Sequence, residues 1–104
     1  MTSPLQDLVG LTVTQVVEIH DYVQFHLGSE IGISIYNQLE VSPRNVTVLQ
    51  LVGKTVVAVS EREGAIEIRF VDGSRVAVDM RHQAYRGPEA LELKRSGKAP
   101  VIWN

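Results

Sequence analysis

The sequence of 104 residues contains no cysteine, which excludes disulfides, thiolate nucleophiles and thiolate metal ligands. Ordinary burial of apolar side chains must therefore stabilise the fold. Long apolar runs are also missing, since none approaches the roughly 20 residues that a membrane-spanning helix needs. The opening segment, Met1 to Pro4, lacks the basic and then apolar pattern of a secretory signal. We therefore predict a cytoplasmic protein that does not associate with a membrane.

A strong charge of one sign is likewise absent. The net charge is −2, from 12 acidic and 10 basic side chains that are scattered along the chain. Nucleic-acid binding normally requires a basic stripe that contacts phosphates, so we predict no nucleic-acid partner. The length and the hydrophobic content of 44% suit one core, and we predict a single domain over residues 1–104.

An internal repeat organises this domain. The segment Leu8-Val9-Gly10-Leu11-Thr12-Val13 matches Leu51-Val52-Gly53-Lys54-Thr55-Val56, which lies 43 residues later. A second match aligns Phe25, Gly28 and Ser29 with residues 45 positions later, and a two-residue insertion at the intervening turn explains the change. The repeat copies span residues 3–36 and 42–80, and the sequence from 89 to 104 follows as a separate hairpin.

Each copy has the pattern of three strands. Ile66, Ile68 and Phe70 alternate with charged residues, which is typical of a strand with one buried face. Asp72-Gly73 then predicts a two-residue type I′ turn. The opening strands, 11–19 and 54–60, are rich in β-branched residues and predict central strands that are packed on both faces.

Two Ser-Pro pairs precede the opening strands and predict short helices. Ser3 and Ser42 would cap them, and Pro4 and Pro43 would occupy their first turns. The second helix has room for two or three turns before Gly53, and Gly10 and Gly53 would supply the left-handed residue at each end. The expected fold class is mainly β with short helices: two diverged three-strand antiparallel meanders and a C-terminal hairpin, about eight strands in a curved sandwich or half-open barrel.

The candidates for chemistry are few. His20, His26 and His82 are the obvious candidates for acid-base or metal roles, but their spacing matches neither a metal site nor an acid-base pair. Glu61 and Glu63 beside Gly64 are interpreted as a solvated turn rather than a cation site. Serine elbows, phosphate loops and dinucleotide fingerprints are missing. We therefore assign no catalytic, metal-binding or cofactor-binding residue and predict a protein that is not an enzyme.

The second half of the chain resembles a known group of proteins. The residues that carry the resemblance are Leu51 to Val56, Ile66 to Ser74, Gly87 to Leu93 and the closing Val101-Ile102-Trp103. They are similar to small bacterial β-rich immunity proteins, which are encoded beside polymorphic or contact-dependent toxins. The resemblance implies a protein that neutralises a cognate toxin by occlusion, and it transfers no individual site residue.

A protein partner is the interpretation that the sequence favours, with the chain itself a monomer or a homodimer. Turn carboxylates and an irregular segment rich in arginine and tyrosine are the candidate contacts, because Arg and Tyr are enriched at binding hot spots. Two alternatives stay open: an enzyme or small-ligand module on the outward positions Tyr22, Gln24 and His26, or a structural subunit that pairs its sheet edge with another copy. The candidate partner-binding residues are Glu61, Glu63, Asp72, Arg81, His82, Tyr85 and Arg86.

Overall fold

A computed structural model describes residues 3–104 and is built almost entirely from antiparallel strands, as the alternating patterns predict. Short 3₁₀ helices at Pro4–Leu8, Val48–Leu51 and His82–Ala84 are its only helical elements within these residues. The strands are β1 (Val13–Ile19), β2 (Tyr22–Leu27), β3 (Ile31–Ile35), β4 (Leu39–Ser42), β5 (Val56–Arg62), β6 (Ala65–Phe70), β7 (Arg75–Asp79), β8 (Leu91–Arg95) and β9 (Val101–Trp103).

The strands form two sheets that enclose one core. The first sheet has the order β1-β2-β3-β8-β9 and the second has the order β4-β7-β6-β5. Each contains one of the predicted meanders, and the C-terminal hairpin extends the first sheet by pairing β8 with β3. The mainly β sandwich is thus confirmed, with nine strands rather than eight among the described residues. Strand β4 was not predicted, because it has only four residues and the proline at 43 follows it directly.

The core lies between the sheets and is filled by the alternating apolar residues of both meanders. Ile66, Ile68 and Phe70 on β6 are at most 4% exposed, and the charged residues between them point outward. In the first sheet, Phe25 on β2 and Ile33 and Ile35 on β3 are buried on the face toward the core. The corresponding strands of both copies therefore turn the same face toward the core. Leu8 and Leu51, one from each of the first two helices, are fully buried in the same core.

The two repeats are joined by a local pseudo-two-fold arrangement. Thr12 and Thr55 form an isolated antiparallel bridge, with their hydroxyl oxygens 2.8 Å apart. The amide of Gly10 donates to the carbonyl of Val56 at 2.8 Å, and the equivalent bond from Gly53 has the same length. Each of the first two helices also contacts the first strand of the other repeat: residues 4–8 lie against β5, and residues 48–51 lie against β1. The repeats therefore complete each other's core.

The predictions for the helices hold only in the first repeat. Ser3 Oγ accepts a hydrogen bond from the amide of Leu5 at 3.2 Å, and Pro4 occupies the first turn as predicted. The prediction for Ser42 and Pro43 is wrong, since Ser42 ends β4. The second helix begins only at residue 48, is a single turn, and is preceded by Thr47 in a capping box with Gln50.

Gly10 and Gly53 do adopt the predicted left-handed conformation, both with φ of +90°. They lie just beyond the helices rather than closing them. Val9 precedes Gly10 with φ of −64° and ψ of 129°, and Val52 precedes Gly53 with φ of −57° and ψ of 132°. These angles place each Val-Gly pair at the centre of a type II turn. This turn directs the chain from each helix into the bridge between the repeats.

The prediction that the opening strands are central is wrong. Strands β1 and β5 lie at the edges of their sheets, and Val57 is 52% exposed. Each strand has a β-bulge near its start, between Val13 and Gln15 in β1 and at the equivalent place in β5. The extra residue allows Val13 and Val16 to point inward although they are three positions apart. Their many β-branched residues thus reflect a bulged strand with one buried face.

The turn at Asp72-Gly73 also differs from its prediction. A type I′ turn needs positive φ at both central residues, but among residues 3–104 only glycines have positive φ. The chain instead forms a three-residue loop over residues 71–73, in which the amide of Phe70 donates to the carbonyl of Ser74 at 2.9 Å. Gly73, with φ of +92°, supplies the left-handed position that closes this longer loop.

Candidate functional site

Three surface cavities lie at one end of the molecule, around the loop that joins β7 to β8. Arg86 in this loop is exposed and lines all three. The largest is an open cleft of about 570 Å³, named here the Arg81 cleft. A smaller one of about 190 Å³ lies between strand β4 and the β1–β2 turn, and is named the Glu18 cavity. Leu39 of strand β4 lines both cavities.

Small residues form the floor of the Arg81 cleft, and charged residues form its rim. Gly64, Ala65 and Ala77 line it. Ala65 of β6 pairs with Asp79 of β7, Ala77 of β7 pairs with Glu40 of β4, and both alanines lie on the outer face of the second sheet. Their short side chains leave the depression that larger residues would fill. The charged lining residues are Glu40, Asp79, Arg81 and Arg86.

Asp79 and Arg81 form the strongest ion pair of this cleft. Arg81 Nη2 lies 2.7 Å from Asp79 Oδ2, and Arg81 Nε donates to Asp79 Oδ1 at 3.0 Å, which is a bidentate geometry. The side-chain hydrogen bonds from Arg81, followed by the bond from its backbone amide, lower the pKa of Asp79 to about 2. The guanidinium is therefore held in one orientation at the cleft rim, while about two thirds of it stays exposed.

The Glu18 cavity is lined by residues from three separate segments. Glu18 and Ile19 come from the end of β1, Asn37 and Leu39 come from the start of β4 and the residues before it, and Arg86 comes from the β7–β8 loop. Asn37 is only 3% exposed. Its Nδ2 donates to the carbonyl of Asp79 at 2.8 Å, but its Oδ1 is buried without a hydrogen-bond partner among the described residues. Such a buried acceptor is unusual in a folded protein and marks this cavity.

Arg86 connects the loop to the first sheet. Its Nη1 donates to the carbonyl of Asp21, in the β1–β2 turn, at 3.1 Å. Close by, the rings of Tyr22 and Tyr36 pack at a tilt of 47° with their centroids 5.1 Å apart. Burial raises the pKa of Tyr36, and the nearby carboxylate of Glu92 adds to the effect. This end of the molecule therefore combines an exposed guanidinium with half-buried aromatic rings.

Most of the predicted partner-binding residues lie at this end. The amide of Met80 donates to the carbonyl of Gly64 at 3.0 Å, which holds the turn of Glu63 beside Arg81. His82 is exposed on the short third helix. Tyr85 is half-buried against the core.

Two predicted residues have other surroundings. Glu61 Oε1 accepts a hydrogen bond from Trp103 Nε1 at 2.9 Å, which ties β5 to β9. Asp72 lies at the opposite end of β6 from Glu63, roughly 20 Å away for a strand of that length. Lys54 and the hydroxyl and amide of Ser74 bind its carboxylate and hold its pKa well below the usual range. Glu63 and Asp72 thus cannot belong to one small patch.

The outward residues Tyr22, Gln24 and His26 share a face of β2, but the structure does not bring them to one cavity. Gln24 Nε2 donates to Ser34 Oγ at 3.4 Å, and the ring of Tyr22 packs at a tilt against the ring of Tyr36. His26 lies over Gly32 and lines a separate cavity beside the β2–β3 turn. The single cleft of the small-ligand alternative is therefore not formed by these side chains.

Sequence reasoning missed Glu18, Asn37 and strand β4. The repeat contained a signal for Glu18, since it matches Glu61 at the same interval of 43 residues. No local pattern could have identified Asn37, because its burial depends on β4 and on the loop after β7.

Comparisons with known proteins do not place the chain in a family: no protein-family model, no curated protein sequence and no solved structure matches it. Within residues 3–104, no cluster of three or more histidine or acidic side chains could hold a metal ion. The helices of the same region are all too short to cross a membrane.

Proposed function

We propose that the chain is a non-enzymatic protein-binding domain, and that it acts as an immunity protein that neutralises a cognate toxin by occlusion. The observation that supports binding is that the Arg81 cleft, the Glu18 cavity and a third cavity lie side by side, with Arg86 lining all three. The toxin as partner rests on the resemblance of residues 51–103 to immunity proteins. The contact surface would comprise the turn at Glu63, the segment from Arg81 to Arg86, and strand β4.

The chemistry of this surface suits a protein better than a small molecule. The Arg81 cleft is open and its rim carries both signs of charge, so a partner with complementary charges would gain association rate and specificity. The bidentate bond to Asp79 fixes Arg81 before binding, which reduces the entropy that an interface side chain loses. Arg86 is the exposed residue that all three cavities share, and we expect it to contribute most to affinity.

Co-expression with the product of a neighbouring toxin-like gene tests the proposal. We expect the two proteins to form a complex and the toxic activity to be suppressed. Arg86→Glu should weaken the complex at least tenfold, about 1.4 kcal/mol, because it reverses the charge at the centre of the surface. Lys98→Glu is the matched control, since it makes the same charge change in the exposed β8–β9 turn. Titration calorimetry would measure both dissociation constants.

Equal affinities of the two variants would contradict the assignment of this surface. A gene neighbourhood of metabolic enzymes, with no complex formed, would contradict the proposed function itself.

A further inference from the structure

The two sheets differ at one outer strand position, which is occupied in the first sheet and unoccupied in the second. Ile33 on β3 and Val78 on β7 are repeat equivalents, 45 residues apart. Ile33 pairs with Leu93 of β8, and Val78 pairs with Leu39 of β4. Strands β8 and β4 thus occupy equivalent places although their sequences belong to different parts of the chain. In the first sheet β9 covers the outer edge of β8. No strand within residues 3–104 covers the outer edge of β4.

The hydrogen-bond pattern shows which backbone groups face this open edge. The amide of Asp79 donates to the carbonyl of Gln38 at 2.9 Å. In an antiparallel pair alternate residues face the same neighbour, so Gln38 and Glu40 direct their amides and carbonyls toward β7. Leu39 and Val41 direct theirs outward. Two donors and two acceptors therefore line the edge and are spaced to receive an antiparallel strand.

A side-chain position is open beside the same edge. In the covered sheet, Trp103 of β9 lies opposite Leu91 and donates to Glu61 at 2.9 Å. Glu18 is the repeat equivalent of Glu61. Asn37 is the counterpart of Leu91, because each comes two residues before the equivalent leucines 39 and 93. An indole placed by the same geometry would lie between Glu18 and Asn37.

The Glu18 cavity lies at that position. It has a volume of about 190 Å³, and Glu18, Asn37 and Leu39 all line it. Asn37, whose buried Oδ1 has no hydrogen-bond partner within the described residues, forms part of the wall of this cavity. The cavity and the open backbone edge are therefore two parts of one site, which β9 and Trp103 fill in the other half of the molecule.

We propose that the edge of β4 receives an antiparallel strand of the partner protein, and that this strand places a tryptophan in the Glu18 cavity. The inference rests on the proposed protein-binding function and specifies its mode as strand addition. Main-chain bonds to Leu39 and Val41 supply the register, and the indole N–H donates to Glu18, as Trp103 does to Glu61.

The chain's own last strand is a suitable probe, because its sequence fits the equivalent position. A synthetic peptide of residues 99–104 (Ala-Pro-Val-Ile-Trp-Asn) would be titrated to millimolar concentration into the full-length protein labelled with ¹⁵N. We expect saturable shifts of the Leu39 and Val41 amide resonances. A peptide with Phe in place of Trp should bind at least fivefold more weakly, since it lacks the donor.

Two pairs of variants separate the site from the stability of the fold. Val41→Pro removes an outward amide from an edge strand, and Val41→Ala is its control, because it loses the same packing but keeps the donor. Glu18→Ala removes the side-chain acceptor, and Glu30→Ala removes an exposed carboxylate at the β2–β3 turn instead. The first member of each pair should weaken peptide binding at least fivefold, and each control should leave it unchanged.

Shifts confined to other strands, or equal binding of both members of each pair, would overturn the proposal. Concentration-dependent dimerisation that shifts the same two amides would also overturn it, because the edge would then belong to a second copy of the chain. If the co-expressed toxin forms its complex while the Leu39 and Val41 amides do not move, the protein-binding function stands and strand addition is wrong.

Discussion

Asp79 and Asp72 are both carboxylates at the end of a strand or in a turn, and both have a dedicated cation. Arg81 binds Asp79 and Lys54 binds Asp72, and each carboxylate also accepts a backbone amide two residues later. A short Asp-x-Ser or Asp-x-Arg sequence makes the local amide contact plausible, but the cation at Lys54 is 18 residues away from its partner. Residue chemistry therefore depends on strand register as well as on local sequence.

Replacing Asp79 with Asn should lower stability in a pH-dependent way. The folded-state pKa of about 2 lies below the unfolded value of about 3.9, so the ionised carboxylate stabilises the fold above roughly pH 4. That contribution is lost as the pH falls from about 4 to about 2. We expect the Tm of Asp79→Asn to be below that of the wild type near neutral pH and the difference to close in this window.

Thermal melts across that pH range would measure the difference. A gap in Tm that stays constant down to about pH 2 would show that the carboxylate charge is not the cause.

The Thr12–Thr55 bridge that joins the repeats is preceded on each side by a type II turn, which contains Gly10 in the first repeat and Gly53 in the second. At Gly53 a Cβ would meet no atom within 4 Å, so only the backbone conformation resists a side chain. With φ at +90°, Gly53→Ala should cost about 1–2 kcal/mol, or a fall in Tm of roughly 4 °C or more. Gly87→Ala is the matched control, because Gly87 has equal space and no positive φ.

Denaturant unfolding of both variants would give the two free energies. Gly87→Ala should be neutral or slightly stabilising, since it mainly restricts the unfolded chain. A loss of stability that is equal in both variants would contradict the role of the left-handed turn.

At the scale of the whole molecule, the two repeats cannot be separated into independent domains. The first helix contacts β5 and the second contacts β1. Strand β4, at the junction of the repeats, completes the sheet of the second repeat, and β8, which follows both repeats, completes the sheet of the first. Neither half can bury its apolar faces alone. We expect fragments 1–45 and 46–104, cut in the exposed segment after Pro43, to be unfolded when separate and to regain β structure when mixed.

Circular dichroism of each fragment and of the equimolar mixture would test this expectation. A folded fragment 1–45 would show instead that one repeat is an autonomous domain.

The sequence by itself determined the elements that depend on near neighbours. The alternation around Ile66 and Phe70 specifies a half-buried strand, because successive side chains point to opposite faces. The repeated Leu-Val-Gly segments predicted two equivalent meanders, and the proline and serine at the start predicted the first cap. Arg81 and Arg86 were predicted as partner contacts because their segment shows neither the strand alternation nor the repeat. Both line the Arg81 cleft.

Only the tertiary structure decided which strands lie side by side. The positions of β1 and β5 at sheet edges, the pairing of β4 with β7, and the separation of Glu63 from Asp72 all follow from contacts between distant segments. Asn37 and Glu18 come together across a cavity for the same reason. Periodicity records which face of a strand is buried, whereas sheet order depends on pairing free energies summed over the whole chain.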